Sequence, residues 1–146
     1  MNISIRKATA ADFPVILSLL KEFAVFQKTP EKVYISLEQM SEDKDLFQCF
    51  VAETAEGRVI GFASFFYAYY SWSGKAIYLD DLYVTEAFRK HGIGGKLLNA
   101  VIDLAKTTSC KKVRWLVSRW NTNAIDFYKK IGAVVDDTEM VCDLIF

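Results

Sequence analysis

Histidine occurs once, proline twice and cysteine three times in 146 residues, and each shortage narrows what the chain can be. The single histidine, His91, has no partners at ligand spacing, so no metal site is expected. Cys49, Cys110 and Cys142 are odd in number, widely spaced and form no CxxC. That argues against a disulfide framework and against structural zinc. Each lies in or beside an apolar segment and is expected to be a reduced core residue. No apolar run approaches the ~18 residues that span a bilayer, and the opening MNISIRKATAAD has no apolar signal region. An excess of either charge is missing too: 18 Lys+Arg balance 18 Asp+Glu. Dedicated nucleic-acid binders usually carry a basic excess, so no nucleic-acid partner is expected. What remains is the expectation of a soluble, cytoplasmic protein with no membrane partner.

The composition that is present, 52% hydrophobic and 25% charged, is that of a globular chain. Its length favours one domain over residues 1–146 and is enough to bury a core unaided. NISIRK (2–7) alternates like a half-buried strand. Thr9-Ala-Ala-Asp12 reads as a helix start, with Pro14 tolerated in the first turn, and Ile16, Leu17, Leu20, Phe23 and Ala24 follow at helical spacing. Pro30 interrupts, and a weaker helix is expected over 31–41. FQCFVAE (47–53), VIGFASFFYAYY (59–70) and the segment 75–84, separated by turn signals, predict three successive antiparallel strands. The aromatic strand is expected to be mostly core. A helix is expected over about 92–107, with Ile93, Leu97, Leu98, Val101, Ile102 and Ala105 on its buried stripe. A strand over 112–118 and a helix over 121–131, capped by Asn121 and stopped by Gly132, come next. Segments 133–135 and 140–146 supply the last strands. The order β-α-α-β-β-β-α-β-α-β-β describes a mixed α+β fold, a mostly antiparallel sheet of about seven strands with about four helices on its faces.

At the junction YLDDLYVTEAFRKHGIGGKLL (78–98), three of the seven glycines meet a run of positive charge. Glycines let backbone N–H groups converge on one space, and a helix starting there adds free N–H groups and its positive dipole end. Arg89, Lys90, His91 and Lys96 add side-chain charge. Such a turn is either an anion site suited to phosphates or a solvated loop with glycines for tight turning. A P-loop is excluded: Gly95-Lys96 would need Gly at position 90 and Ser or Thr at 97, where Lys90 and Leu97 stand. A dinucleotide fingerprint starting at Gly92-Ile93-Gly94 also fails at Leu97.

What fits is Arg89-x-x-Gly92-x-Gly94 between a strand and a helix. It resembles the pyrophosphate motif of the GNAT superfamily of acetyl-CoA-dependent N-acetyltransferases. Trp120-Asn121 with Phe127-Tyr128-Lys129-Lys130-Ile131-Gly132-Ala133 is similar to the WN…FYxxxGA signature of its spermidine/spermine and thialysine branch. So are Arg6-x-Ala8-Thr9-Ala10-Ala11-Asp12 and Tyr78-Leu79-Asp80-Asp81-Leu82-Tyr83-Val84. The resemblance runs over nearly the whole chain.

It implies acetyl transfer from acetyl-CoA to a small primary amine by direct attack in a ternary complex, without a metal and without an acyl-cysteine. The backbone of Leu82, Tyr83 and Val84 would hold the pantetheine arm. The turn Lys90, His91, Gly92, Ile93, Gly94 and Gly95 would hold the pyrophosphate, with Arg89 adding charge. Asn121, Thr122, Asn123 and Ala124 would complete the cofactor contacts. Tyr128 matches the general acid that protonates the leaving thiolate; read without the family it is a core tyrosine on a helix face. Asp80 stands where the branch has Glu and would attract the ammonium and relay its proton; alternatively it is a solvated strand residue. Period-two alternation places Asp81 on the opposite face, where it is structural or contacts substrate. Phe26, Gln27, Trp72, Arg114, Trp115 and Leu116 are further substrate-side positions. His91 is a cofactor-side or solvent-facing residue. The pattern breaks where the branch lines its groove with acids: Gln27 and Tyr70 stand there instead, and a late tryptophan is replaced near Met140. Fewer carboxylates attract a polycation less, which argues against spermidine and leaves a smaller amine, a thialysine-like amino acid or a peptide amine. The family also implies a homodimer. The competing reading is a non-catalytic acyl-CoA sensor.

Overall fold

The computed structural model describes residues 1–146, which divide into two units, Met1–Trp115 and Leu116–Phe146. In the first unit β1 (Ile3–Lys7), β2 (Gln48–Thr54), β3 (Val59–Tyr70), β4 (Gly74–Val84) and β5 (Val113–Arg114) form one sheet in sequence order. All neighbours are antiparallel except β4 and β5, which run parallel. Three helices belong to this unit: α1 (Phe13–Phe26), α2 (Leu37–Glu42) and α3 (Ile93–Thr107). The second unit holds α4 (Thr122–Lys130). No helix is long and apolar enough to cross a membrane.

Alternation along the strands sorts the core. Cys49, Val51, Phe62 and Tyr83 share one sheet face by register. They pack with Phe13, Ile16, Leu17 and Leu19 of α1 and Met40 of α2. The opposite face takes α3, whose Ile93, Leu97, Leu98, Val101 and Ala105 are buried at the expected spacing. Arg6 ties β1 to the start of α1. Its guanidinium forks onto the buried Asp12 at 2.8 and 2.9 Å, and its Nε donates to Glu53. Asp12 also accepts the Thr9 backbone N–H at 2.8 Å. These donors hold the Asp12 carboxyl below the usual carboxylate range, so this contribution to stability is present at neutral pH and lost on acidification.

The mixed α+β architecture is as expected, with five strands rather than seven. Segments 133–135 and 140–146 are irregular, and Val134, Met140, Leu144, Ile145 and Phe146 are exposed. Alternating apolar residues can fill a strand, but a strand forms only against a ladder partner. The strand expected over 112–118 shrinks to Val113–Arg114. Only the first half of the aromatic strand is core: Phe62 and Phe65 are buried, whereas Phe66, Tyr67 and Tyr69 are exposed. β3 outruns its neighbour, since β2 pairs with it only as far as Phe65. Of the three free cysteines Cys49 alone is buried, and Cys142 is exposed.

At Gly61 the sheet leaves no room for a side chain. A Cβ there would lie 2.9 Å from the Tyr83 carbonyl and 3.3 Å from Leu97 Cδ1. The substitution Gly61→Ala is therefore expected to cost about 2 kcal/mol through overpacking. Thermal melting should show a Tm lower by roughly 5 °C; an unchanged Tm would mean β3 and β4 separate without cost.

Candidate functional site

The site begins with an irregularity in β4. Ser64 pairs with Asp81 but Phe65 pairs with Leu79, so Asp80 is an extra residue, a β-bulge. The insertion resets the alternation. Asp81 shares a face with Ser64, and therefore with Phe66 and its partner Tyr78. Asp80, two residues after Tyr78, lies on that same side. The expectation that the two carboxylates face opposite ways is thus overturned, because strict alternation fails at a bulge. Ser64 Oγ accepts the Asp81 backbone N–H at 3.2 Å and pins the irregular segment.

Bringing two carboxylates together changes both. Burial raises the Asp80 carboxyl above its ordinary value, although its outer atoms remain accessible. The two facts agree, since desolvation depends on the volume of protein nearby and accessibility on the outermost atoms. Burial, and then the Asp80 charge, push Asp81 up to about 7. A carboxyl raised in the folded state binds protons that the unfolded chain has released, so stability falls as pH rises from about 4 towards 7. Asp81→Asn removes that cost. The expected result is a Tm close to wild type at pH 4, with the variant rising progressively above wild type between pH 4 and pH 8. A Tm difference that stays constant with pH would show that Asp81 is not perturbed.

Beyond the bulge, β4 has an open edge. β5 pairs with it only at Ile77 and Tyr78. The Thr85 N–H bonds the Ile60 carbonyl in β3 at 2.9 Å, so strand geometry turns the backbone groups of Val84 and Leu82 to the other edge. Those of Tyr83 face β3. Of the three positions expected to serve an extended amide ligand, Leu82 therefore offers both backbone groups at the free edge and Val84 its N–H, the Val84 carbonyl being taken by Arg89. The Tyr83 side chain instead stacks on Phe23, centroids 5.0 Å apart, and donates its hydroxyl to Glu22 at 2.6 Å. Burial and the Glu22 bond push this phenol up to about 12.

Arg89 closes the end of that edge. Its Nε donates to the Val84 carbonyl at 2.9 Å, and its guanidinium lies over Phe26 at 4.7 Å and Tyr83 at 5.2 Å. The side chain is thus braced by α1 as well as set at the turn, a role that sequence spacing did not indicate. Phe23 and Phe26 at i, i+3 on α1, followed by Gln27 at its C-cap, were the available signal.

The turn itself has the form an anion requires. Lys90 and Gly92 both take positive φ, 66° and 74°, so the chain reverses hand within three residues and its N–H groups gather into a nest. Ile93 is 2% exposed and anchors the turn in the core. Helix α3 then starts, its first ladder bond running from the Lys96 N–H to the Gly92 carbonyl at 3.1 Å. The N–H groups of Ile93, Gly94 and Gly95 precede the ladder and stay available. A Cβ placed on Gly92 or Gly94 would meet nothing within 4 Å, so packing does not demand glycine at Gly94. Lys90, His91 and Lys96 are exposed around this space.

Further substrate-side positions separate. Trp72 stands fully exposed at the β3–β4 turn, at 101%. Arg114 and Trp115 end the first unit, and Leu116, 63% exposed, begins the second. Within the second unit Asn121 caps α4, its Oδ1 accepting the Ala124 N–H at 3.3 Å. Thr122 and Asn123 are exposed in the first turn, and Tyr128 lies half-buried on the next. Burial raises the Tyr128 phenol above its ordinary value, so it stays protonated throughout the neutral range.

Known proteins share this sequence and fold. Thialysine N-epsilon-acetyltransferase of Bos taurus is 35% identical over 142 residues, covering 90% of this chain and 84% of the relative. Spermidine/spermine N(1)-acetyltransferase-like protein 1 of Homo sapiens is 35% identical over 140 residues, 89% of this chain, which spans only 20% of that relative's length. In fold, an aminoglycoside acetyltransferase from an uncultured soil metagenomic sample superposes with a TM-score of 0.80 at 19% identity, over 99% of this chain and 96% of that one. The family model described as Acetyltransferase (GNAT) family matches residues 13–133, a span that holds the bulge, the open edge, the glycine turn and Tyr128, and the chain belongs to that acetyltransferase family.

Proposed function

We propose that the protein moves an acetyl group from acetyl-CoA to a primary amine of a small molecule, diamine-like or thialysine-like, by direct attack in a ternary complex. The observation that carries this reading is the continuity of three features on one strand: the bulged carboxylate pair, the open edge at Leu82 and Val84, and the glycine turn opening α3. An extended amide arm pairs with a free strand edge as an added strand would, and a pyrophosphate suits the N–H groups beyond it. The thioester then lies at the carboxylate end of the edge.

In the step itself the amine nitrogen forms the C–N bond to the acetyl carbon. The C–S bond breaks, and the thiolate takes the Tyr128 phenolic proton. The incoming ammonium gives its proton to the Asp80–Asp81 pair, directly or through water. An Asp81 carboxyl held at about 7 suits a base working near neutral pH. The family uses acetyl-CoA, and the residues of the edge and turn fit it. We further propose one domain over residues 1–146, acting in the cytoplasm as a homodimer. The free cysteines and the exposed apolar residues Met140, Leu144, Ile145 and Phe146 support this, and sedimentation analysis tests the dimer.

The direct test is thiol release from acetyl-CoA across a panel of diamines, spermidine, thialysine, lysine, aminoglycosides and short peptides. Turnover with small amines is expected. Thermal stabilisation by CoA with no turnover on any amine would replace this reading by that of a sensor.

A further inference from the structure

On the face that carries Asp80 and Asp81, the sheet builds a second, oppositely charged pole. Gly74 and Ala76 are small, and Ala76 is 0% exposed. Their partners by register are Tyr70 and Ala68, so little side-chain volume separates Tyr70 from β5. The Tyr70 ring bridges that gap. Lys112 Nζ and the Arg114 guanidinium both lie 4.4 Å from its centroid. Neither cation has a carboxylate within ion-pair distance, the three ion pairs of the chain being elsewhere. Two cations gathered on one ring without a counter-charge repel each other, and an anion beside them relieves that cost.

Tyr78 connects the two poles. It registers with Arg114 across the parallel pair and stacks on Phe66 at 5.0 Å. Burial raises its phenol most, followed by the charge of Asp80 and then by Tyr70, while Arg114 opposes the shift and Asp81 adds to it. One ring is therefore within electrostatic reach of both carboxylates and of Arg114. No ion pair joins Lys112 or Arg114 to Asp80 or Asp81, so the poles are separate. Along β4, Asp80 lies two residues beyond the Arg114 register position, roughly 7 Å at the usual strand rise. An extended side chain of lysine length separates its amine from its carboxylate by roughly the same distance.

We propose that Arg114, with Lys112 and held by Tyr70, forms a subsite for a carboxylate of the acceptor. The preferred substrate is then an ω-amino acid and not a diamine or polyamine. This rests on the acetyltransferase reading. It assigns a specific role to Tyr70, which stands where the resembling branch has an acid: an aromatic platform for cations replaces a groove for them. Guanidinium is suited to this task, because its fork matches a carboxylate and its plane stacks on a ring.

The test compares matched acceptors that differ only in the carboxylate, lysine against 1,5-diaminopentane and ornithine against 1,4-diaminobutane, in wild type, Arg114→Gln and Arg114→Lys. Wild type is expected to favour the amino acid by at least tenfold in kcat/KM. Arg114→Gln should lower that ratio at least tenfold, through KM for the amino acid, and Arg114→Lys should retain most of it. A wild-type preference for the diamines, or a loss in Arg114→Gln that is equal for both members of each pair, overturns the subsite while leaving the acetyltransferase reading intact. Turnover of no amine at all overturns both.

Discussion

Replacing Gly94 by glutamate should leave the free protein at least as stable as wild type while raising KM for acetyl-CoA about a hundredfold, the equivalent of ~2.7 kcal/mol. The two halves of this expectation come from the same geometry. A side chain at Gly94 enters open space and no positive φ is needed there, since only Gly92 and Lys90 in this turn are left-handed. Glycine within a helix costs up to about 1 kcal/mol relative to better helix formers, and an acidic side chain in the first turn interacts favourably with the dipole. Folding alone would therefore prefer almost anything else at this position. What glycine provides is an uncovered set of N–H groups at Ile93, Gly94 and Gly95. A carboxylate beside them competes for those donors and repels a pyrophosphate. Thermal melting together with acetyl-CoA titration separates the effects. A destabilised protein would mean that Gly94 serves packing, and unchanged cofactor affinity would place the anion elsewhere.

How far the sequence announced this arrangement depends on the range of the interaction. The turn was legible because it is local: glycines, a preceding strand and a following amphipathic helix adjoin one another along the chain, and α3 begins at Ile93 within a residue of expectation. Asn121 as the cap of α4 was legible for the same reason. The bulge was not. Two adjacent aspartates are compatible with regular alternation, and only the pairing with β3 shows that Asp80 is extra. The brace on Arg89 was equally hidden, because Phe26 reaches it from a helix some sixty residues earlier, and Glu22 and Phe23 of that helix hold the Tyr83 ring it also lies over. So was the cationic pole, since Tyr70 meets Lys112 and Arg114 only across β4. The last two strands failed for a complementary reason. Their apolar alternation is real, but it specifies what a strand would bury and not whether a ladder partner exists.

Tyr128→Phe is expected to reduce kcat by 10²–10⁴-fold, the range general acids supply, with KM for acetyl-CoA changed by less than threefold. As the proposed general acid, the phenol owes its suitability to what the protein does to it. Burial raises its pKa above the ordinary value, so the proton is retained at neutral pH and given up only as a strongly basic thiolate develops. The sign fixes a second observation. A group that must be protonated, with a raised pKa, imposes no fall in rate across the neutral range, so any basic limb there belongs to another group. With the carboxylate pair as the proposed base, an acidic limb near pH 7 is expected from Asp81, and it should persist in Tyr128→Phe because that base is untouched. Without the phenol, water must protonate the thiolate, and kcat should become sensitive to the basicity of the leaving group. Acetyl thioesters of less basic thiols should then narrow the gap between variant and wild type. A variant that keeps wild-type kcat removes Tyr128 from the chemistry, and one that loses kcat and cofactor affinity together makes it a positioning residue for acetyl-CoA.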